Sequence, residues 1–136
     1  MCIRDRAYAE AFLRDAGTRP NSPEAGVAHR ATGTTHWFAG EYPQAREHLE
    51  HALALFQPGR DDDLAFRFGT DIGVAATSFL AFVLWPVGDL ARAVFLVGDA
   101  EARTTGLVHI GTHAYAKMIR ALFEVLRGDF SRVASN

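Results

Sequence analysis

Histidines and carboxylates are the groups in this chain most able to do chemistry. The 136 residues carry six histidines and sixteen Asp or Glu. His48 and His51 stand three apart, which on a helix puts both rings on one face. His109 and His113 stand four apart, the spacing of paired ligands in a zinc-protease helix. The residues between them, Ile110-Gly111-Thr112, offer no Glu as base, and Gly111 weakens a helix interior. The one cysteine, Cys2, opens the chain and supplies no further ligand. The expectation is therefore no metal and no cofactor, with histidines on polar faces or in linkers. Asp61-Asp62-Asp63 lack the alternating oxygens of a calcium loop, and position twelve from Asp61 is Ile72 rather than Glu. They read as a solvated corner. Gly69-Thr70-Asp71-Ile72-Gly73 lacks the lysine and the spacing of a phosphate loop. Arg67 and Asp71, flanked by Phe66, Phe68 and Gly69, are expected to pair and pin a linker across the helices. The alternative is that Arg67 faces a groove and binds a partner's acid.

The elements that must position these groups are helices. Alanine occurs 23 times, and the composition is 49% hydrophobic and 22% charged, that of a chain that folds. The apolar spacings predict a helix over 5–16, stopped by a left-handed Gly17. A second is predicted from Ser22-Pro23 to Ala39, with Ser22 as N-cap and Pro23 in the first turn. Gly40 ends it, and a third runs from Tyr42 to Phe56. A connection over 57–71 follows, and Asp71 caps a helix over 72–85. Gly88 turns the chain, and Asp89 caps a helix over 90–104. A break over 106–111 precedes a helix over 112–127, and Gly128-Asp129 opens another. No run alternates as a strand would. Phe79, Phe82, Val83 and Trp85 make the 72–85 helix apolar nearly all round, so it must be covered on both sides. Of Trp37 and Phe38, one is expected inward and the other at the surface. The apolar window from Ile72 to Trp85 is 14 residues long, too short to span a membrane. Fourteen basic against sixteen acidic residues leave no field for a phosphate backbone, so no nucleic-acid partner is expected. One cysteine and the charged opening residues read as cytoplasmic.

One signature recurs three times: Gly40-Glu41-Tyr42-Pro43-Gln44-Ala45, Gly88-Asp89-Leu90-Ala91-Arg92-Ala93 and Gly128-Asp129-Phe130-Ser131-Arg132-Val133. Glycine ends one helix, and the acid meets the unpaired N–H groups of the next. The large apolar residue (Tyr42, Leu90, Phe130) is expected to plug the open end of the pair. The smaller residue three further on (Ala45, Ala93, Val133) lets two helices approach. Seven residues ahead of each glycine stands another small residue, Gly33, Ala81 or Ala121, where antiparallel helices would cross. The corners fall 48 and 40 residues apart. A helical-hairpin repeat needs about 34 residues, and the connections over 57–71 and 106–111 hold the excess.

This pattern resembles the tetratricopeptide repeat, and the fold class expected is all-α, a tetratricopeptide-like superhelical array of antiparallel helix pairs. More closely, residues 7–136 resemble the helical repeat region of large bacterial signalling proteins. Those proteins carry a class III adenylate/guanylate cyclase domain or a transcriptional-regulator head, then a P-loop ATPase module, then such repeats. The residues carrying the resemblance are His48 to Phe56 and the string Leu64-Ala65-Phe66-Arg67-Phe68-Gly69-Thr70-Asp71-Ile72-Gly73-Val74-Ala75. Pro86 departs from it and is expected to tighten or kink the end of its helix. Met1 to Arg6 resemble a translated sequencing adapter at the start of metagenomic fragments, which implies a non-native or disordered leader. With repeat units cut at both ends, the segment reads as part of a longer chain.

The resemblance implies a non-catalytic scaffold that contacts another protein or another domain of its parent. A purely structural or dimerising segment is the alternative. A small enzyme or ligand pocket lined by His29, His36, Arg67 and Asp71 is the third reading. The catalytic and ATPase domains lie outside this sequence, so the resemblance carries over no active-site residue.

Overall fold

The computed structural model describes residues 3–128. The third corner beyond Gly128, including Phe130, lies outside the described residues. Seven helices follow one another: α1 (Ile3–Ala16), α2 (Pro23–Phe38), α3 (Tyr42–Leu55), α4 (Leu64–Phe68), α5 (Ile72–Leu84), α6 (Leu90–Thr104) and α7 (Ile110–Arg127). No strand occurs among the described residues.

The caps set the boundaries. Ser22 Oγ accepts the Ala25 N–H at 3.1 Å, and Pro23 occupies the first turn of α2. Asp71 Oδ1 accepts the Val74 N–H at 2.8 Å and starts α5. Asp89 Oδ1 does the same for Arg92 at 3.3 Å. Gly40 and Gly88 sit at φ +75° and +90°, a region that costs a side chain dearly, and each releases its chain into the next helix. Gly128 closes α7 at φ +75°.

Four expectations shift. Gly17 is not left-handed: its N–H bonds the Leu13 carbonyl at 2.9 Å, and the chain leaves α1 through ordinary turns. Helix α1 begins at Ile3 and takes in part of the expected leader. Helix α7 begins at Ile110 rather than 112, because His109 Nδ1 accepts the Thr112 N–H at 3.1 Å and serves as N-cap. Pro86 falls in the turn beyond α5, which closes at Leu84, so it does not bend the helix.

Two hairpins dominate the packing. A Cβ on Gly33 would come within 2.7 Å of Leu49 Cγ and 3.1 Å of the Ala45 carbonyl oxygen. Nearer its start, Gly26 faces Ala52 and Leu55. Helices α2 and α3 therefore run antiparallel at close approach. Arg103, at the end of α6, reaches back to Asp71 at the start of α5, so these two are antiparallel as well. Helix α3 packs on α5, α1 on α2, and α7 on both α6 and α5. Helix α5 lies at the centre, and every residue of it except Phe79 is buried. Leu64 and Phe68 join Ile72 and Val27 and cover its first turn. Trp37 packs inward, its ring 5.4 Å from Phe79 and 5.6 Å from Phe82, while Phe38 is exposed. Phe82 and Trp85 carry the aromatic contact on to Phe123 of α7, at 6.0 and 5.5 Å. Burying side chains of this size stabilises the fold by roughly 2–3 kcal/mol each.

Candidate interaction surface

Most residues singled out by the repeat pattern are packing residues in this fold. Ala45, Ala81 and Ala93 are buried in the main core. Tyr42 is half-buried against the same core. Leu90, its counterpart at the second corner, is 42% exposed. Gly40, Gly88 and Gly128 act through their backbone.

The expected Arg67–Asp71 pair does not form. Arg67 is 60% exposed, meets Glu24 at 3.5 Å and lies over the Phe68 ring. Asp71 is fully buried and belongs to Arg103. Arg103 Nε donates to Asp71 Oδ1 at 2.8 Å and Nη2 donates to Oδ2 at 2.7 Å. Nη2 also meets Asp62 Oδ1 at 2.9 Å, and the guanidinium lies 4.3 Å from the Phe56 ring centroid. Hydrogen bonding to Asp71 holds Arg103 above its ordinary range. The Asp71 backbone N–H donates to Thr112 Oγ1 at 3.0 Å, which adds α7 to the junction. Gly73 is the floor of this site. A Cβ there would meet Phe56 Cε1 at 2.8 Å and Arg103 Nε at 2.9 Å. The linker is thus pinned, as expected, but by an arginine 32 residues away. Nothing in the spacing of residues 64–75 points to it.

The aspartate run also departs from a solvated corner. Asp61 is 1% exposed, accepts the Gln57 N–H at 2.9 Å and pairs with Arg60, which also donates to the Leu55 carbonyl. Burial works against the Asp61 charge, but the Arg60 and Gln57 hydrogen bonds outweigh it and lower its pKa. Asp62 serves Arg103. Asp63 alone of the three is exposed.

Four histidines line one seam between α2 and α3. The His51 ring stacks on His29 at 4.0 Å. His29 and His48 share one hydrogen bond, Nδ1 to Nδ1 at 2.9 Å, so a single proton sits between them. The His48 ring stacks on His36 at 5.5 Å, and His36 bonds Glu41, which also meets Arg6 at 3.2 Å. Desolvation, with His51 and His48 close by, pushes His29 down to about 4. Desolvation and His36 also lower His48. Hydrogen bonds from His36 and Arg6 lower Glu41. His29 and His48 spend their facing nitrogens on each other, the other contacts are ring stacks, and no group of three or more His, Cys, Asp or Glu placed to hold a metal ion occurs among the described residues. His29, His36, Arg67 and Asp71 do not line one pocket: the two histidines lie in this seam, and Arg67 and Asp71 bond different partners.

Outside these networks the surface is apolar in places. Phe66 is 65% exposed and Val108 84%. With Leu107, His109, Asp62 and Asp63 they line an open hollow of about 230 Å³, and the Phe66 ring meets His109 edge-on at 4.9 Å. Met118, Leu122, Val125 and Leu126 form an exposed stripe along α7. No helix among the described residues is long and apolar enough to cross a membrane. Compared with known proteins, the chain matches no family model, no curated protein and no solved structure.

Proposed function

We propose that this chain is a non-catalytic protein-interaction scaffold, a tetratricopeptide-like stack of helix pairs belonging to a larger signalling protein. In that protein it contacts a partner or relays to a cyclase or ATPase domain. What supports the stacked reading is the order of packing: α2 on α3, α3 on α5, α5 on α6, α6 on α7. The single observation that carries the interaction reading is the hollow beside α4. Asp62 is held in an internal pair with Arg103, while Asp63, Phe66 and Val108 are exposed around the hollow. Large apolar side chains rimmed by polar groups are how a protein surface recognises another chain.

Panning random peptides against the immobilised protein tests this. The expected result is a consensus pairing an apolar residue with a basic one. Phe66→Ser is expected to weaken its binding about tenfold, the effect of roughly 1.4 kcal/mol at one contact, with an unchanged melting curve. No enriched consensus, or one indifferent to Phe66, overturns the reading. The α7 stripe favours a second reading, a dimerising segment. Light scattering after gel filtration separates the two: a dimer dissociated by Leu122→Glu supports the second reading. The family part is tested by the flanking coding sequence, where domains unlike a cyclase, regulator or P-loop ATPase would remove it.

A further inference from the structure

The hollow beside α4 brings together two carboxylates and an exposed aromatic ring. Asp63 and Phe66 stand three apart, and Asp63 already has helical backbone angles (φ −77°, ψ −16°), so both side chains leave α4 on one side. Both line the hollow together with Asp62 and Val108. Asp63 occupies the cap position of α4, yet its side chain makes no capping bond, and its carboxylate has no hydrogen bond or ion pair among the described residues. Asp62 spends Oδ1 on the Gly59 N–H at 3.1 Å and on Arg103 at 2.9 Å, while its Oδ2 has no partner among the described residues. Phe66 is 65% exposed, and its edge-on contact with His109 at 4.9 Å leaves a ring face open. The local charge is negative. Arg103 faces both Asp71 and Asp62, so one guanidinium leaves one negative charge over, and Asp63 adds another. Arg60 and Asp61 cancel.

The chain itself holds a guanidinium in this way twice. Arg103 lies 4.3 Å from the Phe56 ring centroid and pairs with Asp71 and Asp62. Arg67 lies 5.2 Å from the Phe68 ring centroid and meets Glu24 at 3.5 Å. The hollow offers the same two groups, a carboxylate and a ring face, with no arginine or lysine among its lining residues. We propose that it seats an arginine side chain of a partner protein, with the guanidinium over the Phe66 ring and its N–H fork on Asp63. The inference rests on the reading of this hollow as the interaction surface and names what enters it. A flat guanidinium stacks on a ring and still presents its in-plane N–H groups to a carboxylate, whereas a lysine ammonium is a point charge that holds its water more tightly. Val108, 84% exposed, and Leu107 offer apolar surface to the methylene stem and to the residues beside it. A free guanidino compound would leave that surface bare, so the occupant is a residue within a chain.

The test is an NMR titration at constant ionic strength that follows the Phe66 ring and Gly106 amide signals. The probes are end-capped Ala-Leu-Xaa-Leu-Ala peptides with arginine, lysine or citrulline at the centre, and capped arginine alone. Citrulline has the shape of arginine without its charge. The expected result is a saturable shift with the arginine peptide, binding about threefold weaker with lysine, and none with citrulline. Capped arginine alone is expected to bind more weakly than the peptide. Asp63→Asn is expected to weaken the arginine peptide about tenfold. Its melting curve should not move, because no capping bond is lost. Phe66→Leu keeps the apolar bulk without the ring face and is expected to weaken the arginine peptide about threefold. Shifts that never saturate, lysine or citrulline binding as tightly as arginine, or an Asp63→Asn protein that binds as the parent does each overturn the site. Capped arginine binding as tightly as the peptide overturns the partner protein as its source. A panned consensus that needs Phe66 but carries no arginine overturns this inference and leaves the interaction reading standing. A consensus indifferent to Phe66 removes both.

Discussion

A buried aspartate does two things at once when it begins a helix and neutralises an arginine. Asp71 caps α5 through Val74 and takes both donors of the Arg103 fork. The two roles separate by substitution. Asp71→Asn keeps an N-cap oxygen but removes the charge, and Asp71→Ala removes both. Breaking one side of a buried pair strands the other charge, so Asp71→Ala should cost about 4 kcal/mol and Asp71→Asn about 1 kcal/mol less. Urea denaturation of both variants, closed into a double-mutant cycle with Arg103→Met, measures the coupling. A coupling near zero would mean that the guanidinium does nothing for Asp71. Gly73 belongs to the same site for a steric reason. A methyl there must displace Phe56 or Arg103, and Gly73→Ala is expected to destabilise by about 1–3 kcal/mol. The string 64–75 showed that something was pinned here. It did not show the arginine, because ion pairing across 32 residues depends on how α6 returns along α5, and spacing within a linker carries no information about that return. The same limit explains Asp61. Three aspartates in a row read as solvated until Arg60 and the Gln57 N–H fold over one of them.

At the scale of elements, the α2–α3 hairpin is held by small residues and threaded by imidazoles. Its glycines and alanines were legible, since Gly33 and Ala45 sit at fixed distances from the Gly40 corner. The histidine seam was not, because His29 and His36 pair with His48 and His51 only once α3 folds back in one register. That seam makes the hairpin sensitive to acid. His29 and His48 bind protons less readily in the fold than in the unfolded chain, whose histidines titrate near 6.5. Between pH 6.5 and about 4 the unfolded state therefore takes up more protons, and stability falls as pH falls. It is fully present above that window. The loss is on the order of 1–2 kcal/mol, less than the shift alone implies, because the rings are part-exposed and solvent screens them. His36, His51, Glu41 and Glu47 are the other ionisable side chains beside this seam. Asp61 and Glu41, whose pKa values are depressed, give up their stabilisation at lower pH still, as they protonate. Denaturation midpoints from pH 7.5 to 4.5 check the window, and His29→Phe, which keeps the stack without the proton, is expected to flatten the profile. An unchanged slope in His29→Phe would place the acid sensitivity elsewhere.

Over the whole molecule, stability is concentrated on α5 and thins toward α1. Helix α5 is enclosed by α2, α3, α6 and α7, whereas α1 rests mainly on α2. The central place of α5 was legible from its unbroken apolar face, which no amphipathic surface helix carries. The exposure of Leu90 was not, because a corner motif specifies a turn but not what lies above it. The packing order has a kinetic consequence. Phe123 is fully buried against Phe82 and Trp85, so Phe123→Ala should cost about 3–5 kcal/mol and loosen α5, α6 and α7 together. The α1–α2 contact holds Ala16, Ala25 and Ala28 under Phe12 and Leu13, a small cluster of its own. A helix attached through so few buried groups opens without the rest. Native-state hydrogen exchange is expected to find the slowest amides on α5, at the free energy of global unfolding. The amides of α1 are expected to exchange by a local opening that Phe123→Ala leaves unchanged. If the Phe123 substitution speeds exchange equally in α1 and α5, the helices open as one unit, and the hairpins are not separable layers of a stack.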